Sequence, residues 1–157
     1  GLSPIKSSIE KVRNLVKAIS ASSSLTQELK ELGQSVGEGE ATRKIPQDVS
    51  TRWNSTYLML SVYVTMPTTI VALIRRNNNL SKYKLTPQEE SDLQATTKFL
   101  HPFYETTNVL SGSTYTTLGI SIILIDDIVD TISSYIQNST GPEFLEVAAT
   151  QMSDKIQ

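Results

Sequence analysis

The stretch "DVSTRWNSTYLML" (Asp48–Leu60) sets the chain's only tryptophan beside an arginine, at the polar start of a helical pattern. A guanidinium is planar and grips phosphate through paired hydrogen bonds. An indole is a large stacking face for an unpaired base, worth roughly 1–3 kcal/mol per contact. Side by side at a helix N-terminus, where backbone N–H groups are free, Arg52 and Trp53 could hold a displaced nucleotide and its phosphate. The same spacing has a second use. Trp53, Tyr57, Leu60 and Val64 step by four, three and four, so the indole could equally be the first core residue of an amphipathic helix.

Other reactive residue types are sparse. Asp126, Asp127 and Asp130 form an acidic group, and metal-dependent phosphoryl transfer needs carboxylates around two cations about 4 Å apart. Their neighbours Ile125, Ile128 and Val129 place them on the polar side of an amphipathic helix, which reads as a solvated face. His101 precedes Pro102 and has no catalytic partner beside it, so it reads as structural. The absence of cysteine excludes disulfides and thiolate metal sites. No glycine-rich phosphate loop and no nucleophile elbow occurs. No catalytic residue, metal ligand or cofactor site is therefore assigned to this chain.

Charge is nearly balanced overall, with 14 cations against 16 acids, but it is unevenly placed. Residues 46–84 hold Arg52, Arg75, Arg76, Lys82 and Lys84 against Asp48 alone, a net +4. Residues 85–157 hold Lys98 and Lys155 against ten acids, a net −8. The middle suits a polyanion and the tail repels one. No run of about 18 apolar residues and no signal-peptide pattern appears, so no membrane contact and an intracellular setting are expected.

Those side chains need helices to position them. Ser3-Pro4 starts one helix, over roughly Pro4 to Ala21, with Ile5, Ile9, Val12, Val16 and Ile19 on one face. Ser24 and Gln27 resemble a capping box for a second helix, which Gly33 closes. Residues 34–47 read as a flexible loop. A third helix begins near Ser50 and breaks near Thr65, because Pro67 cannot donate a helical hydrogen bond. Asn77, Asn78 and Asn79 read as a turn. Thr86-Pro87-Gln88-Glu89 is a full start signal for a helix disturbed by Pro102 and stopped at Gly112. Thr116 or Thr117 caps the next, in which "ISIILI" looks strand-like but Ile128, Ile132 and Tyr135 keep helical spacing. Thr140-Gly-Pro142-Glu143 opens the last. No strand pairing is visible, so the expected fold is all-α, a bundle of five to seven helices. The expected organisation is one domain over 1–157: a helical hairpin at 1–33, the loop at 34–47, and the main bundle at 48–157.

Three segments carry a resemblance. "DVSTRWNSTYLML" resembles a segment of hAT-superfamily transposases and of their domesticated relatives with BED-type zinc fingers. "SSSLTQELKEL" (Ser22–Leu32) is similar to a serine-rich stretch before a helix in that family. "FLHPFYETTNVLSGSTYTTL" (Phe99–Leu118) is similar to a segment with a proline–aromatic pair and a Leu-Ser-Gly turn. The resemblance implies a helical domain inserted in an RNase H-like catalytic core whose three carboxylates, with Mg or Mn, lie outside this chain. It implies that Trp53 stabilises a flipped base during hairpin formation, with Arg52 and Asn54 beside it. It also implies DNA as the partner and a nuclear location.

The expected function is accordingly non-catalytic. The chain would position DNA for strand cleavage and transfer through Arg52, Trp53 and Asn54, helped by the basic side chains of Arg75, Arg76, Lys82 and Lys84. The alternative is a protein-interaction or homo-oligomerisation module retained after domestication, which predicts an exposed apolar patch and no salt-sensitive DNA affinity.

Overall fold

The computed structural model describes residues 5–38, 44–49, 52–112, 118–138 and 141–156. Among them are seven α-helices and one 3-10 helix, with no strand. The α-helices are α1 (Lys6–Ser20), α2 (Ser23–Val36), α3 (Trp53–Tyr63), α4 (Pro67–Arg76), α5 (Pro87–Gly112), α6 (Leu118–Asn138) and α7 (Glu143–Ile156). The 3-10 helix, Asn78–Tyr83, occupies the stretch after Asn77 where a turn was expected. The all-α expectation holds, and "ISIILI" is helical. The expected caps at Ser3, Thr116, Thr117 and Thr140 lie outside the described residues.

The chain forms two compact units, Ile5–Gln94 and the part from Ala95 onward. In the first, α1 packs on α2, α3 and the 3-10 helix, while α2 packs on α4. Val12, Leu15, Val16 and Ile19 of α1 are buried, as their spacing requires. Met59, Leu60, Met66, Leu73 and Leu80 complete this core. In the second unit α6 packs on α7. Phe99, Ile132, Leu145 and Ala149 form its centre, and the Phe99 and Tyr135 rings meet edge to face at 4.8 Å.

Helix boundaries follow local chemistry. Pro67 is the first residue of α4, and the chain bends by 82° between α3 and α4. That pair is apolar enough in composition to resemble a bent membrane span, yet no single helix among the described residues is long and apolar enough to cross a membrane. Much of its apolar surface is core: Tyr57, Met59, Leu60, Tyr63, Ile70, Leu73 and Ile74 are buried. The Thr86 capping box forms as expected. The Thr86 backbone N–H donates to Glu89 Oε2 at 2.8 Å, and the Glu89 N–H donates to Thr86 Oγ1 at 3.2 Å. Pro102 lies inside α5 without ending it.

Two expectations fail in α2. Ser22 is the cap, accepting from the Leu25 N–H at 3.3 Å, so the Ser24–Gln27 box does not form. Gly33 does not close the helix. It is buried within α2, which continues to Val36. The chain leaves at Gly37, where φ is +75°, and the Gly33 carbonyl accepts from the N–H groups of Gly37 and Glu38. A left-handed residue is what ends the helix, so the glycine that matters is the later one.

Five residues of the expected loop, Gly37 among them, thus have a structural duty or a helical place. Gln34–Val36 finish α2, and Glu38 caps another helix. Its carboxylate accepts from the N–H groups of Thr68 and Thr69 at 3.0 and 2.9 Å, at the start of α4. Burial pushes the Glu38 carboxyl up, but these hydrogen bonds outweigh it and hold it below the usual range. At the other end of α4, the Asn77 amide donates to Glu28 Oε2 at 2.9 Å and to the Leu73 carbonyl at 3.0 Å. Helix α2 therefore holds both ends of α4, and the two run antiparallel.

A Cβ added at Gly37 would meet nothing within 4 Å. Gly37→Ala should therefore lose only the backbone term, about 1–2 kcal/mol. Urea unfolding of the variant should show it as a lower midpoint with an unchanged slope.

Candidate nucleic-acid interface

The Arg52–Trp53 pair stands on a fixed platform. The Asp48 side chain is fully buried, 0% exposed. Its Oδ1 accepts from Thr56 Oγ1 at 2.9 Å and lies 2.9 Å from Ser55 Oγ. Its Oδ2 meets the Arg13 guanidinium, reaching from α1. Ser55 Oγ also accepts from the Val49 N–H at 2.9 Å, and its single proton is shared among Asp48, the Val49 carbonyl and the Arg52 carbonyl. Arg13 is held on its other side by Glu10, one turn earlier on α1. The segment before α3 is thus tied both to α1 and to the first turn it precedes.

This clamp sets the local charge. Burial pushes the Asp48 carboxyl up, but hydrogen bonds from Thr56, Arg13 and Ser55 outweigh it and hold it below the usual carboxylate range. Burial also works against the Arg13 charge, and its bonds to Asp48 and Glu10 more than restore it.

Arg52 is extended, with φ −126° and ψ 105°, and no side chain caps α3 there. Its N–H closes a turn onto the Val49 carbonyl at 2.8 Å. The guanidinium is exposed, and Trp53 is 44% exposed on the first helical turn. Tyr57 and Leu60, on the same face in later turns, are buried at 6% and 0%. The apolar stripe is therefore core from Tyr57 onward, while the indole at its head meets solvent. Asn54 is half-buried, and its Oδ1 is enclosed with no hydrogen-bond partner, so Arg52 and Trp53 are the open members of the trio.

Arg75 and Arg76 are exposed in the last turn of α4, where the helix dipole favours cations. Arg76 lies 3.9 Å from Glu28. They do not adjoin Trp53. Two helices of 11 and 10 residues with an 82° bend put α3's start roughly 20 Å from α4's end, at about 1.5 Å per residue.

Asp126, Asp127 and Asp130 lie exposed on α6. Among the described residues, no group of three His, Asp or Glu side chains could hold a metal ion. The residues present do not fit a two-metal centre, and no step is derived through one.

Sequence spacing flagged Arg52 and Trp53 but not what fixes them. Arg13 is 35 residues from its partner, and nothing in its neighbourhood marks it. Ser55 and Thr56 had a readable signal: two hydroxyls in a first helical turn, seven and eight residues after an acid.

The depressed Asp48 carboxyl contributes stability that is complete above about pH 4, the unfolded value, and is lost as pH falls through its folded value. Glu38 and Glu89 carry the same sign. Asp48→Ala should cost about 1–3 kcal/mol at neutral pH, because it removes the hydrogen bonds to Thr56, Ser55 and Arg13 while Glu10 still pairs the guanidinium. In urea titrations the gap between wild type and variant should narrow as pH drops from 5 to 2. A gap independent of pH would show that the carboxylate charge is not what the clamp uses.

Residues 1–99 match the family model described as the ZBED1 RNase-like helical domain. Over 136 residues, 83% of the chain, the sequence is 32% identical to a Zea mays protein named "Putative AC transposase". The chain spans 16% of that relative's length. No solved structure matches it. With more than half its length inside the family model, and helical as that description requires, the chain belongs to the ZBED1 RNase-like helical domains, a family related to the hAT transposases.

Proposed function

We propose that the chain is the DNA-positioning part of a larger hAT-like transposase or of a protein derived from one. In this reading Arg52 holds a phosphate and Trp53 stacks on an unpaired base beside it while another part of the protein cuts and joins strands. Any Mg or Mn needed for that chemistry belongs to carboxylates elsewhere in the protein, and the work is nuclear. The carrying observation is the half-exposed indole on a helix turn locked by Asp48, Arg13, Ser55 and Thr56. A stacking platform must be both open to the base and held still, and this one combines the two.

Asn54 gives the base little to touch, since its carbonyl oxygen is enclosed. Arg75 and Arg76 serve as a second phosphate contact. A span of roughly 20 Å corresponds to about six nucleotides at about 3.4 Å per phosphate along one strand, so one DNA could reach both places.

Trp53→Ala in the intact protein should slow strand cleavage by about tenfold to a hundredfold, the size of a lost base stack, with a smaller loss of DNA affinity. Trp53→Phe should recover part of the rate. The comparison is made on a DNA end carrying 2-aminopurine at the flipped position, whose fluorescence reports stacking. Should Trp53→Ala instead lower the melting temperature of the chain as much as a core truncation, and cleavage only in proportion, the ring is packing material.

A further inference from the structure

Helix α6 has more apolar surface than its neighbours cover. Ile128, Ile132 and Tyr135 pack into the core around Phe99, and Ile132 is 2% exposed. Ile125, Val129, Ile132 and Ile136 step by four, three and four, a second stripe beside the first. At about 100° per residue, Ile125 and Ile136 lie within about 40° of the buried Ile132. They are nevertheless 50% and 40% exposed, and Val129 between them is half-buried. Polar residues would occupy such positions on a helix edge that meets only water.

The surrounding charge has one sign. Asp126 and Asp130 are exposed on the adjoining surface of α6. From Ala95 onward the chain carries seven acids against Lys98 and Lys155. A second copy laid stripe to stripe would bring both sets of aspartates together, which repels. Three partly open side chains also fall far short of the roughly 800 Å² per partner that a standard protein interface takes. A single helix with apolar anchors at matching spacing can seat on such a stripe, and lysine or arginine at its flanks would meet the aspartates. We propose that the Ile125–Val129–Ile136 stripe of α6 docks a basic amphipathic helix. The proposal is independent of the nucleotide contact at Trp53.

The test is fluorescence anisotropy of the 157-residue chain with a fluorescein-labelled helical peptide. The peptide has leucines at successive steps of four and three, flanked by lysines. Controls are the same composition scrambled and the same spacing with glutamate in place of lysine. The patterned basic peptide should bind best. Ile125→Ser/Ile136→Ser should weaken it about tenfold or more, and Asp126→Lys/Asp130→Lys should weaken it several-fold and flatten its salt dependence. Both pairs are exposed, so the circular dichroism melt should hold; if the isoleucine variant melts early, the aspartate variant decides. Equal binding of the scrambled or acidic peptide overturns the proposal. So does unchanged affinity in the variants that fold. A dimer in sedimentation equilibrium that the isoleucine variant dissolves overturns it in favour of a second copy.

Discussion

A carboxylate with no water around it must be satisfied by protein, and Asp48 is in that position. Its charge is offset by Arg13, and its oxygens are filled by Thr56 and Ser55. The partners come from two places: α1 supplies the guanidinium, and α3's first turn supplies the hydroxyls. Residues 44–49 have no regular structure of their own, so this knot is what registers them against α1. The start of α3 follows from it. Once the helix begins at Trp53, its phase is fixed by Tyr57 and Leu60, which are buried. The indole one turn earlier then projects past the edge of α1 and α3's shared core. Its exposure is thus a consequence of where the clamp lets the helix begin.

The same device recurs on a smaller scale. Glu38 closes the start of α4 from the end of α2, and Glu28 holds its end. Glu89 closes its own helix and also reaches Lys11 of α1 at 2.7 Å. Helix ends leave N–H and C=O groups unpaired, and in a small unit these cannot all face water. A carboxylate from a neighbouring helix satisfies the end and fixes the neighbour at once. Tertiary order in Ile5–Gln94 therefore rests on helix ends as well as on apolar faces. Acid acts on both roles together, since protonation removes the cap and the crosslink in one step.

What could be read from sequence was local. The α1 stripe, the Pro67 break and the Thr86 box each depend on residues within one or two turns, and each is present. Gly33 misled because glycine is a frequent helix terminator, yet here it lies buried inside α2, which runs on to Val36. Gly37 alone has the positive φ. Arg13 and Glu38 were unreadable for another reason. Their partners lie 35 and about 30 residues away, and a surface-type charge gives no sign that it will be enclosed. The residues proposed to meet DNA were visible, and so were the hydroxyls of Ser55 and Thr56, whereas Arg13, which ties them to α1, was not.

The two halves of the chain also differ in what they can approach. Ile5–Gln94 carries twelve cations against nine acids, and Asp48, Glu38, Glu28 and Glu89 among those acids are engaged with neighbouring residues. The part from Ala95 onward is short of cations and has aspartates on the open side of α6. A polyanion drawn to Arg52, Arg75 and Arg76 gains nothing from the second unit and is repelled by it. Exposed isoleucines there face no such competitor, because a nucleic acid has no use for an apolar stripe ringed with negative charge. The proposed strand contact and the proposed helix contact therefore need not compete for one surface. Charge alone separates them, since what attracts one partner excludes the other.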